Sequence, residues 1–135
     1  MSDITYINKN LLMEGQLESK DGQVVIAGNF KGNIVARSVI IEPTALFNGN
    51  INAEHLKVEG KVDGDVTADR LHTHSGANIE GNINSSNVIL GGTSKGNVNA
   101  DVIKIRSTAQ VEGVLNQKNL SIEEGAKLKI KAETF

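Results

Sequence analysis

From Gly28 onward the apolar residues fall in pairs two apart, with polar or charged residues between them. Ile34 and Ala36 are followed by Val39 and Ile41, then by Ala45 and Phe47. The series continues as Ile51, Ala53, Leu56, Val58 and Val62, then Val66, Ala68, Leu71, Thr73, Ala77 and Ile79. Ile83, Ser85, Val88 and Leu90 come next, then Val98, Ala100, Ile103, Ile105, Ala109 and Val111, and last Leu115, Leu120 and Ile122. Successive side chains of a strand point to opposite faces, so this alternation predicts short strands with one buried face. Helical spacing is missing almost throughout. Three strand segments per unit, separated by turns, put the paired residues inward in columns and the charges outward.

The pattern repeats. Gly28-Asn29-Phe30-Lys31-Gly32-Asn33-Ile34-Val35-Ala36 returns 32 residues later as Gly60-Lys61-Val62-Asp63-Gly64-Asp65-Val66-Thr67-Ala68, and again from Gly92 to Ala100. The unit is itself double. The marker glycines Gly32, Gly49, Gly64, Gly81, Gly96 and Gly113 are spaced 17, 15, 17, 15 and 17 residues apart, and Gly15 begins the series in a degraded copy. One copy is too short to bury a face alone, but stacked copies bury a continuous core, which is the logic of a solenoid. Glycine at each marker suits a corner of positive φ. The residues after it, Asn33, Asn50, Asp65, Asn82 and Asn97, fall in one column and predict a side-chain amide ladder interrupted at Asp65. The alternation of 17 and 15 has its origin in a corner that is long at Glu42-Pro43-Thr44 and short at Glu59-Gly60-Lys61. A small bump is therefore expected every other rung.

Before Gly28 the stack starts part-way through a rung near Ile4, with a two-residue insertion around Asp21-Gly22. At the other end Glu123 to Leu128 makes a long corner where a short one is due, and Ile130 stands at a marker position. The expected organisation is a short disordered start at 1–3, one β-helix domain over 4–130, and a short tail at 131–135. The expected fold is all-β: a parallel β-helix of about seven rungs of 15–17 residues, with no capping helix. Inward spacings of 2, 3, 2, 4, 2 and 4 fail the six-residue period of left-handed β-helices, which favours a right-handed coil.

Composition narrows the function. The net charge of −2, scattered Lys and Arg, and 3 % aromatics give no footprint for nucleic acid. Without cysteine there is no disulfide framework or thiolate metal site. The first ten residues are not a signal peptide, and no apolar run reaches the ~18–20 residues of a membrane helix. A cytoplasmic protein is expected. His72 and His74 stand two apart on one strand face and point outward, but no third ligand joins them at metal-site spacing, and a solvated surface pair is expected. Asp63 and Asp65 flank a corner glycine, Glu123 and Glu124 face opposite ways, and Ser85-Ser86 has no histidine beside it. Gly91-Gly92 carries no Walker pattern. No catalytic residue, metal or cofactor is expected.

The run Ile4-Thr5-Tyr6-Ile7-Asn8-Lys9-Asn10, the run Met13-Glu14-Gly15-Gln16-Leu17-Glu18-Ser19, the repeated G-N-[IV]-x-A units and Glu123-Glu124-Gly125-Ala126 together resemble the bactofilin family of polymer-forming bacterial cytoskeletal proteins. The resemblance covers roughly residues 4–130. It implies a right-handed β-helix of triangular section. It implies nucleotide-free, non-polar filaments joined end to end, with roles in cell shape or envelope organisation. Envelope or cell-wall proteins would be partners. Many members carry an apolar membrane-targeting motif at the N-terminus, and this sequence has none. Direct membrane binding is therefore not expected, and any place at the inner face of the membrane would come through a partner.

The residues give their own reason to polymerise. A β-solenoid ends in unpaired strands, which monomeric proteins cover with a helix, a charged strand or a loop. No such cover is expected on this stack. The apolar candidates for end contacts are Ile4, Ile7, Leu11, Met13 and Leu17 at the start, and Leu120, Ile122, Leu128 and Ile130 at the stop. Phe135, past the last rung, is either a frayed end or a plug for the stop contact. The competing expectations are a monomeric solenoid that binds a partner on one flat face, and a small solenoid enzyme of the acyltransferase kind.

Overall fold

The computed structural model describes residues 4–134. Fourteen strands and no helix are found among them, and every strand pairing is parallel. The chain coils into a three-sided β-solenoid. The first face is built from segments beginning at Leu12, Asn29, Leu46, Lys61, Asn78, Thr93, Gln110 and Lys127, which makes eight levels. The third face also has eight, from Ile4–Ile7 to Asn119–Ile122. With strands ~4.8 Å apart, eight levels span ~34 Å.

The inward columns form one continuous core. In the first-face column Met13, Phe30, Phe47, Val62, Ile79, Ser94, Val111 and Leu128 stack in register. Phe30 and Phe47 lie ring on ring, with centroids 5.3 Å apart and planes 6° from parallel. Such a pair adds about 0.5–1.5 kcal/mol to what burial alone contributes. Ser94 and Gln117 are buried too. The apolar alternation gives no sign of either.

The corners explain the double repeat. Four-residue turns at 42–45, 74–77 and 106–109 are closed by hydrogen bonds from Ala45 N to Glu42 O (2.9 Å), Ala77 N to His74 O (3.0 Å) and Ala109 N to Arg106 O (3.0 Å). Two-residue corners at 27–28, 59–60 and 91–92 lie between them. The short corner is threaded against the long one below it. A Cβ on Gly60 would run into the carbonyl oxygens of Glu42 and Ala45, so only glycine fits there. Above the short corners, Thr44 Oγ1 donates to Ala27 O (2.7 Å) and Thr108 Oγ1 to Gly91 O (2.6 Å). The expected insertion near Asp21-Gly22 appears as a register shift between Ser19 and Gln23.

Three expectations are corrected. The last strand runs Lys127–Thr134, past the boundary expected at Ile130, because 131–134 continue the ladder along Val114, Leu115, Asn116 and Gln117. The amide ladder lies two residues beyond the expected column. Asn99 Nδ2 donates to Asn84 Oδ1 (3.1 Å) and Asn116 Nδ2 to Asn99 Oδ1 (2.7 Å). Asn84, Asn99 and Asn116 sit in register on strands at successive levels. In the expected column the one recorded side-chain bond is Asn82 N to Asp65 Oδ1 (3.4 Å). The third correction concerns His74, which follows the strand end at Thr73 and belongs to a corner. The expectations for 1–3 and for Phe135 fall outside the described residues.

Candidate assembly surfaces

The two ends are where the columns lose a neighbour, and exposure rises there. Ile105 is 1 % exposed, and Ile122, one level above it in the same column, is 46 % exposed. Leu120, Leu128 and Ile130 at the stop end, and Met13 and Leu17 at the start, are half-buried and pack on the core from one side only. Ile130 pairs with Gly113 but lacks the positive φ of the marker column, so the last level leaves the corner geometry. Ile7 is fully buried, beneath Ile26.

Ile4 is placed differently from the other start-end candidates. It pairs with Gln23, in a column that continues through Ser38, His55 and Arg70, all on the outer side. Strand parity sends Ile4 outward because Thr5 takes the inward position beside Val24. Even so, the start end is the apolar one. Ile4, Tyr6, Leu11 and Leu12 are four of the six large hydrophobic residues that are exposed among the described residues. The stop end sets Lys127, Lys129 and Lys131 among Glu123, Glu124 and Glu133, around Leu128 and Ile130.

The outer side of the third face carries a second surface, a trough of about 510 Å³ across five neighbouring strands. Ser38, His55, Arg70, Asn87 and Val102 form one outward column, and Ile40, Lys57, His72, Ile89 and Lys104 the other. His72 and His74 stack with ring centroids 4.3 Å apart. His72 is half-buried, so the pair is less solvated than its sequence suggests. Partial burial pushes the pKa of His72 below the ordinary 6.5, and His74, Arg106 and Lys57 push the same way.

That shift fixes a pH dependence. The unfolded chain takes up a proton at His72 more readily than the folded one, so folding stability falls as pH drops through 6.5 towards the lowered folded value. His72→Gln should therefore reduce the fall in melting temperature between neutral pH and about pH 5. Parallel losses in the variant and the parent would show that His72 is not the group responsible.

Among the described residues no group of three His, Cys, Asp or Glu side chains is placed to hold a metal. No helix among them is long and apolar enough to cross a membrane. Compared with known proteins, the chain matches a family model described as "Bactofilin: Polymer-forming cytoskeletal" over residues 5–85 and again over 68–133. No curated protein and no solved structure matches it.

Proposed function

The chain belongs to the bactofilin family of polymer-forming cytoskeletal proteins, and from that premise we propose that it is a non-catalytic structural protein assembling end to end into nucleotide-independent filaments. The observation that carries the reading is the unfinished state of both terminal levels. Ile122 tops a column that is buried at every level below it, Leu128 one that is buried from Phe30 to Val111, and among the described residues neither has an apolar partner above. A second copy would complete those columns and pair the open strand edges. Filaments of this kind would act as a scaffold for bacterial cell shape or envelope organisation, with envelope or cell-wall proteins as partners. A place at the inner face of the membrane would come through such a partner.

The joints are like with like, so the filament has no polarity. Such isologous contacts use one patch on both copies. The exposed Leu11, Leu12 and Tyr6 would meet their own counterparts at a start-to-start joint. At a stop-to-stop joint the alternating lysines and glutamates can pair across the twofold axis. A start-on-stop joint would set Leu12 over Lys127, which share a column.

The chain contains no cysteine, so a single one reports on the joint without background. Leu12→Cys should give filaments by negative-stain microscopy without nucleotide, and near-quantitative disulfide dimers on mild oxidation. Filaments that form without any cross-link would sink the like-with-like joint. A strictly monomeric parent protein at high concentration would sink assembly itself.

A further inference from the structure

We propose that the trough on the third face binds an acidic, extended peptide segment of a partner protein, with carboxylates spaced four residues apart. The proposal does not depend on filament formation, since the site lies wholly within residues 38–104 of one chain.

Charge selects the ligand. The chain as a whole carries a net charge of −2, yet Lys57, Arg70 and Lys104 line the trough together with His55 and His72, and no carboxylate does. Glu54, Asp69 and Asp101 directly precede the segments that build this face, and Glu59 directly follows one of them. Glu59 engages Lys57 at only 3.7 Å, in a pair of exposed lysine and half-buried glutamate that is still open to solvent and contributes little. A ligand carboxylate can displace it. Between the cations the lining is apolar, with half-buried Ile40, Ile89 and Val102.

Geometry selects an extended chain. Lys57 and Lys104 are in one column, separated by the levels of His72 and Ile89. Three strand spacings put them ~14 Å apart along the solenoid axis. In an extended peptide, side chains at i and i+4 lie ~13 Å apart on one side. Glutamates at those positions reach the two lysines, and the residue at i+2, on the same side, is left over His72 and Ile89. Arg70, in the adjacent column at the level of His72, is available to the peptide backbone or to a further acid. The surface is concave and about five strands long, so a single chain fills it, whereas a planar bilayer would touch only its rims.

The direct probe is a fluorescein-labelled extended peptide of about eight residues with two glutamates four residues apart, valine midway between them on the same side and serine elsewhere, long enough to cover the ~19 Å of the trough. It is titrated with the full-length protein and followed by anisotropy. Binding should weaken as salt rises from about 0.05 M to about 0.5 M. The double variant Arg70→Glu, Lys104→Glu should bind at least about ten-fold more weakly. Lys31→Glu, on the first face, should bind as the parent does. Should the charge-reversed pair lose its β-sheet circular dichroism, Arg70→Gln with Lys104→Gln takes its place. The same proteins are sedimented with phosphatidylcholine vesicles containing phosphatidylserine. The proposal is overturned by absence of peptide binding, by an equal loss in Lys31→Glu, or by vesicle binding that the peptide does not compete.

Discussion

Gly64→Ala should unfold the chain or leave it barely folded, whereas Gly15→Ala should leave it folded. Both glycines have strongly positive φ, +140° at Gly64 and +126° at Gly15. An alanine in that region of backbone space costs of order 1–3 kcal/mol, and that strain is common to the two. The difference is the neighbour. A Cβ on Gly64 would fall on the carbonyl oxygen of Gly49, one level below. A backbone oxygen held in a ladder cannot rotate aside, so the levels must part locally. At Gly15 no atom lies within 4 Å of the same position, because among the described residues no level lies beneath it. We expect Gly64→Ala to lose more than about 4 kcal/mol, a large share of the ~5–15 kcal/mol that holds a natural domain together. Gly15→Ala should lose only the strain. Assembly would inflate any apparent stability, so the comparison is made by urea denaturation in a background expected to be monomeric, Leu12→Arg with Leu128→Arg. Equal losses at the two positions would mean that strain, and not the close approach of stacked corners, makes the marker column glycine.

The same contrast shows what the sequence makes legible and what it hides. Alternation of apolar and polar residues reads out the inward columns almost completely, because burial in a strand has a period of two and nothing else competes with it. Val39, Leu56, Leu71, Val88 and Ile103 stack in the register the repeat implies. The seventeen–fifteen alternation locates the long and short corners because a corner that grows must insert whole residues. Polar positions are less legible. Ser94 and Gln117 are buried without an apolar signal, since a closed column accepts a small or amide side chain once its neighbours fill the space. The amide ladder of Asn84, Asn99 and Asn116 was shadowed by a more conspicuous asparagine column beside the glycines. Composition alone does not say which asparagines stand straight enough to bond each other. The trough is hidden in another way. His55 and Arg70, or Lys57 and Lys104, are 15 and 47 residues apart in sequence, and only the stacking register brings them onto one surface. Exposure at the ends is hidden too, because Ile105 and Ile122 read alike as inward residues and differ only in whether a level lies above.

Leu128→Arg should abolish filaments while the chain stays folded. Leu128 pairs with Val111 below it and packs on the core from one side, half-buried at the edge of the stop end. In a free chain an arginine there can extend its guanidinium past the last level into water. In a stop-to-stop joint that group would be enclosed on the inward column, whereas Glu123, Glu124 and Glu133 stand on the corner and the outward side. An unpaired buried charge typically costs about 3–5 kcal/mol, which weakens an association by roughly a hundred- to several-thousand-fold. The size of what remains then reads the polarity of the filament. Were every joint start-on-stop, damage to one end would break all of them, and the variant would sediment as a monomer. With like-with-like joints the start-to-start contact through Leu11 and Leu12 is untouched, and the variant should settle as a dimer. Adding Leu12→Arg should then reduce that dimer to a monomer with unchanged circular dichroism. Analytical ultracentrifugation of the two variants separates these outcomes. Filaments that persist in Leu128→Arg would remove the stop end from the assembly altogether, and with it the reason for supposing that unfinished columns drive one copy onto the next.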